Sequence, residues 1–419
     1  MRQSLRLSAF RRLLVAYTLN ELAWTVGTLA LTVLVYRHTG SALGAMVFFL
    51  CSQFLPALLT PSLVARIDQS SPRRVLPALY ALEALLFGAL AWVASRFSLP
   101  AVLALTVADG AVATAARALA NATRVEVLKP VDLLHEGNAL INTLFSLSFL
   151  AGPLIGGAVV ALGGTVSALL ANCALFALMA LSLATANLPR SGADGPKGGR
   201  LRASLAHARS DRGLLVLLGL HGIGLVFFTI SMPVEIVYVS HSLHAGPAVY
   251  GALLSAWGGG AVAGSGIYAH WRRGQPTTLI TTSAAVIGIG FALMAVAPSI
   301  AIALVGAVLG GIGNGVESVS MQTAIQDRTP ERWMAVIMSL NEAIANVAPG
   351  LGILIGGVIT ALTSPRIGLA TAGVGSLAFA VLALLSLRSA GISSGRGMPD
   401  PEGSEGSTAA PLARSERLV

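Results

Sequence analysis

Charge is what this sequence has least of. Asp, Glu, Lys and Arg supply 11% of its 419 residues, against roughly 25% in an ordinary soluble chain, which is too little to cover a water-facing surface. Cysteine is almost missing. Cys51 and Cys173 are the two present, each inside an apolar run, and two such residues allow no disulfide framework and no zinc spacing. No nucleophile–base or metal-ligand grouping can be assembled, so no catalytic residue, metal or cofactor is expected and the chain does not read as an enzyme. The run GGIGNG at 310–315 has no preceding strand and no following Lys-Ser/Thr pair. It reads as a helix-packing surface rather than a phosphate loop. Without a nucleotide site, any transport has to draw on an ion gradient or on the substrate's own.

Apolar residues are what is abundant, at 55% of the chain with a mean hydropathy of +0.77. Twelve apolar runs fit, at about 13–36, 42–66, 74–95, 99–121, 138–162, 166–187, 214–239, 247–271, 277–297, 299–324, 334–361 and 366–388. Each is long enough for a helix to cross about 30 Å of hydrocarbon. Very short connections such as GG at 163–164 and PS at 298–299 force antiparallel hairpins. The first run follows arginines, as in a signal peptide. It is too long for one, however, and no A-x-A site follows, so an uncleaved span is expected.

The net charge of +9 reflects topology. Laid out on alternating spans, all Lys and Arg except Arg37, Arg96 and Arg366 fall on one side, which the positive-inside rule makes cytoplasmic, with both termini. The partners implied are a lipid bilayer and a small molecule, not nucleic acid. Residues 190–213 form a basic cytoplasmic linker, whose RLRASLAHAR part could lie on an anionic leaflet. Residues 389–419, rich in Gly, Ser, Pro and charge, read as a disordered cytoplasmic tail. That leaves an N-terminal half at 1–189 and a C-terminal half at 214–388.

The halves repeat each other. EGNALINTLFSLSFLAGPLIGGAVVAL at 136–162 aligns without a gap, 200 residues on, with VIMSLNEAIANVAPGLGILIGGVITAL at 336–362. Gly152, Leu154, Ile155, Gly156 and Gly157 fall on Gly352, Leu354, Ile355, Gly356 and Gly357; upstream, Gly110 falls on Gly310 and Pro130 on Pro330. A parallel repeat of apolar helices is how one large class of membrane transporters is built.

Three local patterns resemble the major facilitator superfamily over essentially all of 1–388. GPLIGG at 152–157 looks like the end of the fifth-helix motif of the superfamily's antiporters, though Ser148 stands where that motif has a further glycine. Pro153 removes a backbone donor and bends the helix, while Gly152, Gly156 and Gly157 admit a close neighbour. ARIDQSSPRRVL at 65–76 resembles the cytoplasmic loop between helices two and three. Asp68, Arg73 and Arg74 match its acid and basic pair, whereas Val64 and Gln69 replace its leading glycine and internal arginine. TGSALG, HEGNAL, PVEIVY and YGALLSAWGGGAVAGS resemble the drug-efflux branch that includes macrolide exporters and the enterobactin exporter. The resemblance implies an all-α integral membrane protein of twelve transmembrane helices in two six-helix pseudo-symmetric halves, acting as a monomer. The implied function is proton-driven export of a hydrophobic or amphipathic drug or siderophore-like compound by alternating access. An uptake permease or symporter on the same fold, or a non-transporting receptor, is the alternative.

Acids and bases inside apolar spans are costly, about 2.5–3.5 kcal/mol each at a helix centre on insertion scales, so they mark candidate sites. By the resemblance, the first, fourth, seventh and tenth helices line the cavity. Glu21, beside Trp24, and Asp109 are candidates for proton coupling or for a cationic substrate, and His221 for a titrating group. Thr106 occupies the place where the family's fourth helix often carries an arginine. Arg117 and Glu317 are equivalent in the repeat and are expected to pair across the closed cytoplasmic mouth, where Asp68, Arg73, Arg74 and Glu342 form the rest of the gate. Glu83 and Glu235 rank lower, Glu83 on a peripheral span and Glu235 near water.

Overall fold

The computed structural model describes residues 4–57, 71–131, 133–186, 188, 211–271 and 275–391. Among them the chain is helical throughout, with no strand. Helix α1 is Ser8–Thr39, and α2 is Ala42–Phe49, continued by a π-helical turn Leu50–Phe54. Helix α3 is Pro72–Ser95 and α4 is Leu99–Leu128. The helix Leu134–Ala184 is divided at Gly164 into α5 (134–163) and α6 (165–184). Helix α7 is Arg212–Thr229, prolonged by Ser231–Val237 and a second π-helical turn, Tyr238–Ser242. The remainder are α8 Pro247–Trp271, α9 Pro276–Val296, α10 Ile300–Asp327, α11 Glu331–Leu362 and α12 Pro365–Ser389.

Nine of the described helices are long and apolar enough to cross a membrane. The difference from twelve runs has three local sources. Leu134–Ala184 holds two arms, α2 is described only as far as Ala57, and glycine-rich α8 is long enough but less apolar. The expected linker and tail lie mostly outside the described residues.

Local chemistry sets the ends. Prolines open α3, α9 and α12 in their first turns, where the missing donor costs nothing. The Ser41 hydroxyl accepts from the Leu43 N–H at 3.1 Å, and Asp211 caps α7 by accepting from Gly213 and Leu214. Burial pushes the Asp211 carboxyl up, but those N–H donors and the Arg328 guanidinium at 3.1 Å outweigh it and hold it below the usual carboxylate range. Gly164 adopts φ 79°, ψ 173°, a backbone state that glycine enters without penalty, and the chain doubles back there. Both arms then pack on α1. Gly152 lies against Thr25, and the Asn172 side chain donates to the Ala23 carbonyl at 2.7 Å. Pro233 removes the donor that would bond Thr229, and α7 breaks at Ile230.

The sequence repeat is also a packing repeat. In α5, Gly152 and Gly156 lie on Thr25 and Val26 of α1, and Gly157 lies on α8 of the other half. In α11, Gly352 and Gly356 lie on Val226, Thr229 and Ile230 of α7, and Gly357 lies on Met46 of α2 in the other half. Each copy of the motif therefore packs its own half with two glycines and the opposite half with the third. GGIGNG also serves packing, with Gly311 and Gly315 against the Trp257 and Ala261 carbonyls of α8.

The two halves meet at the end remote from the chain termini. One continuous hydrophobic core there combines residues of both halves, such as Leu34, Val35 and Phe48 with Val234, Tyr238 and Leu253. Nearer the termini, the second half has its own core around Leu217, Ile280, Met321 and Phe379, separate from the first half's. The bundle is thus closed at the far end.

Candidate functional site

Two adjoining cavities lie between the halves. The first, of about 780 Å³, is walled by α1, α2, α5, α7 and α8 and is largely aromatic, with Trp24, Phe49, Phe149, Phe228, Tyr250 and Trp257. Trp257 anchors the wall, 4.8 Å from Phe291 and 5.7 Å from Phe228, centroid to centroid. Pro153 shapes it as well. The Phe149 carbonyl loses its helical donor because proline has none, and Gly258 of α8 faces that carbonyl, where a Cβ would sit 2.6 Å away. Glu235 is the cavity's carboxyl, 9% exposed and hydrogen-bonded by Ser231.

The second cavity, of about 1120 Å³, is polar. Asn20, Ser52, Gln53, Thr106, Asp109, Thr114 and Arg117 line it from the first half, and Glu342 and Asn346 from α11. Trp24, Thr28 and Gln53 belong to both chambers. The π-helical turn of α2 aims Ser52 and Gln53 inward; such turns rotate side chains out of the regular register and recur at functional sites.

Glu21 is 4% exposed, and its Oε1 lies 3.8 Å from Arg117 Nη2, whose side chain is 43% exposed. Asn20 hydrogen-bonds the same carboxyl. Arg117 therefore pairs within its own half, and the expected Arg117–Glu317 pair is not formed in this conformation. Glu317 instead lies against Gly224 and near Phe379. The physical reason is geometric. In this conformation the equivalent helices present these residues to separate neighbours, Glu317 to Gly224 of α7 and Arg117 to Glu21 of α1.

His221 Nδ1 is bonded to Asn341 Oδ1 at 2.6 Å, linking α7 to α11 beside Glu342. Glu342 itself lines the polar cavity. Arg73 and Arg74 are exposed at the start of α3, and Asp68 lies outside the described residues. Trp24, 39% exposed, stands between the chambers.

Two acids ranked low by sequence are buried in the structure. Glu235 is buried at the wall of the aromatic chamber, on the part of α7 that follows the interruption at Ile230. Glu83 is fully buried on α3 within electrostatic range of Asp109 and Arg117. Its spacing with Tyr80 and Phe87, three and four residues away on the buried face, was the legible signal.

A bundle of membrane-length helices in two repeated halves around a central polar and aromatic space is the construction of a membrane transporter. The family model of the Major Facilitator Superfamily matches residues 13–341 and 216–415, and the chain belongs to that superfamily. Among curated proteins it is similar to the multidrug efflux pump Tap of Mycobacterium tuberculosis and of Mycobacterium bovis, at 28% identity over 352 residues, covering 80% of this chain and 83% of the relative. Among solved structures it is similar to a mutant of the nucleoside transporter NupG, with a TM-score of 0.73, 14% identity and coverage of 90% of this chain and 99% of that one. A bacterial homologue of the lysosomal transporter Spinster, in an inward-facing conformation, gives a TM-score of 0.71 at 13% identity, covering 92% and 97%. At such identities the likeness shows the fold alone. The protein is a multi-pass membrane transporter.

Proposed function

We propose that the protein exports hydrophobic or amphipathic small molecules, drug or siderophore-like, across the cell membrane by alternating access in exchange for protons. The observation that carries this reading is the pairing of the two chambers. An apolar, aromatic space suits the body of an amphipathic ligand, and Glu235 and the ring faces suit a cationic group on it. Asp109 and Arg117 line the adjoining polar space, and buried Glu21 stands behind Arg117 at 3.8 Å; these are charged groups that no soluble surface requires, and the two acids can bind and release a proton. Similarity to an efflux pump supports the outward direction. In this reading Glu21 and Asp109 couple the proton. Glu317, Glu342 and the Asp68, Arg73 and Arg74 loop form the gate at the terminal end, which faces the cytoplasm. The chain works as a monomer.

The test is retention of preloaded macrolides, cationic dyes and a catecholate siderophore in an efflux-deficient bacterium carrying wild type, Glu21→Gln or Asp109→Asn at equal expression. Uncoupler-sensitive extrusion by wild type, lost in either variant, is expected. Extrusion that survives both substitutions removes the coupling assignment, and faster accumulation in place of extrusion reverses the direction.

A further inference from the structure

The carboxyl of Glu83 is an anomaly that the two chambers do not explain. It sits on α3, 0% exposed, and neither of its oxygens has a hydrogen-bond partner. An isolated ionised carboxylate in such a place is prohibitively costly. Asp109 is its neighbour across the α3–α4 contact. Asp109 Oδ1 is likewise sealed and unpartnered, although the residue itself borders the polar cavity.

We propose that Glu83 and Asp109 form a paired carboxyl site that binds a proton from the polar cavity, with Asp109 as its cavity face and Glu83 as its buried store. The proposal rests on the reading of the protein as a proton-coupled transporter and adds to it a residue, Glu83, and a place behind the cavity wall. The step balances simply. A proton from cavity water bonds to one carboxylate oxygen of the pair, turning –COO⁻ into –COOH. The pair's charge thereby falls from two negatives to one. Two buried carboxylates within electrostatic range of each other oppose each other's ionisation, so that one proton serves the pair.

The surroundings favour this assignment. Around the pair are Tyr80 on the same helix and Arg117 on α4, with Glu21 on α1 in electrostatic range of Tyr80; on α6, Cys173 lies one turn on, beside Gly88. Arg117 is the cation in range, and Glu21 already holds it at 3.8 Å. One guanidinium cannot neutralise three carboxylates, so a proton is the remaining counter-charge. Uptake of that proton would also free Arg117 to hold Glu21 more closely, connecting the store to the α1–α4 contact.

Infrared difference spectroscopy of the whole protein in liposomes, stepped between acidic and alkaline buffer, reads protonated carboxylic acids directly and needs no substrate. Wild type should give a carbonyl band from a protonated, water-shielded acid. That band should be lost in Glu83→Gln, shifted in Asp109→Asn and kept in Glu83→Asp. Glu83→Gln, given a pH gradient and tetraphenylphosphonium as probe, should bind it with wild-type affinity but lose gradient-driven movement. An unchanged acid band in folded Glu83→Gln overturns the proposal even if export is intact. Should Glu83→Gln fail to fold, an unshifted band in Asp109→Asn overturns it instead. Failure of the exporter reading would appear as absent transport with the band still present in wild type.

Discussion

Arg117 and Glu21 are unequal partners. Glu21 is buried to 4% exposure, whereas the Arg117 side chain, 43% exposed, lines the polar cavity. Removing the arginine strands a buried carboxylate, while removing the acid leaves a cation that cavity water can solvate, and stranding is the costlier outcome. Arg117→Gln should therefore lower the melting temperature more than Glu21→Gln. The double variant should recover part of the loss, with a coupling of about 0.5–3 kcal/mol in a thermal cycle. Strict additivity would mean that the pair is incidental. Glu235 invites a separate experiment. If it faces a cationic ligand in the aromatic chamber, Glu235→Gln should weaken binding of a cationic dye roughly 10- to 100-fold, the equivalent of one charged hydrogen bond, and leave an uncharged ligand of similar size unaffected. Equal loss for both ligands would make Glu235 a structural residue. Its importance was hard to read from sequence, where it stands near the end of an apolar run. A hydropathy pattern does not say which side chains beyond the Pro233 interruption face the chamber.

Among the elements, α5 and α8 approach closely where Gly157 meets Pro247 and Gly251. A Cβ on Gly157 would lie 2.8 Å from the Pro247 carbonyl oxygen and 3.0 Å from the Gly251 Cα. Both neighbours are backbone, so neither can rotate aside. Gly157→Ala should part the helices, lower thermal stability and reduce transport, whereas Gly219→Ala on α7, where nothing lies within 4 Å, should be neutral or gain up to about 1 kcal/mol of helix propensity. Similar melting temperatures for the two variants would contradict the packing role. At this scale the sequence was legible. The GPLIGG motif and its copy marked helix contacts correctly, but they could not say that the third glycine of each reaches across to the opposite half. The three cations on the sparse side are partly explained too. Arg366 donates to the Ala295 and Ala297 carbonyls at 2.7 and 2.8 Å, capping the end of α9 where the helix dipole favours a cation.

For the whole molecule, closure at the end remote from the termini has a mechanical consequence. Tyr36 of α1 and His241 beyond α7 stand 6.3 Å apart, ring centroid to ring centroid, across the two halves. In a background with Cys51 and Cys173 replaced by Ala, the pair Tyr36→Cys and His241→Cys should be bridged by a short bifunctional thiol reagent. Bridging should arrest transport, with recovery on cleavage of the linker, if the halves must part there in each cycle. Undiminished flux through fully bridged protein would exclude alternating access by that motion.

The sequence by itself determined the membrane class, the repeat of the two halves and most of the helix positions. Those depend on hydropathy, run length and periodicity, which are properties of neighbouring residues. It also brought Glu21, Asp109, Arg117 and Trp24 forward, since an ionisable or aromatic residue in an apolar run is conspicuous wherever it lies. Partner choice was decided by the tertiary structure alone. Arg117 meets Glu21 rather than Glu317, Glu83 comes within electrostatic range of Asp109, and Glu235 lines the aromatic chamber. Each of these depends on the rotation of a helix about its axis and on which end of the bundle is closed. Both are set by the balance of packing among all the helices, and no single stretch of sequence carries that balance.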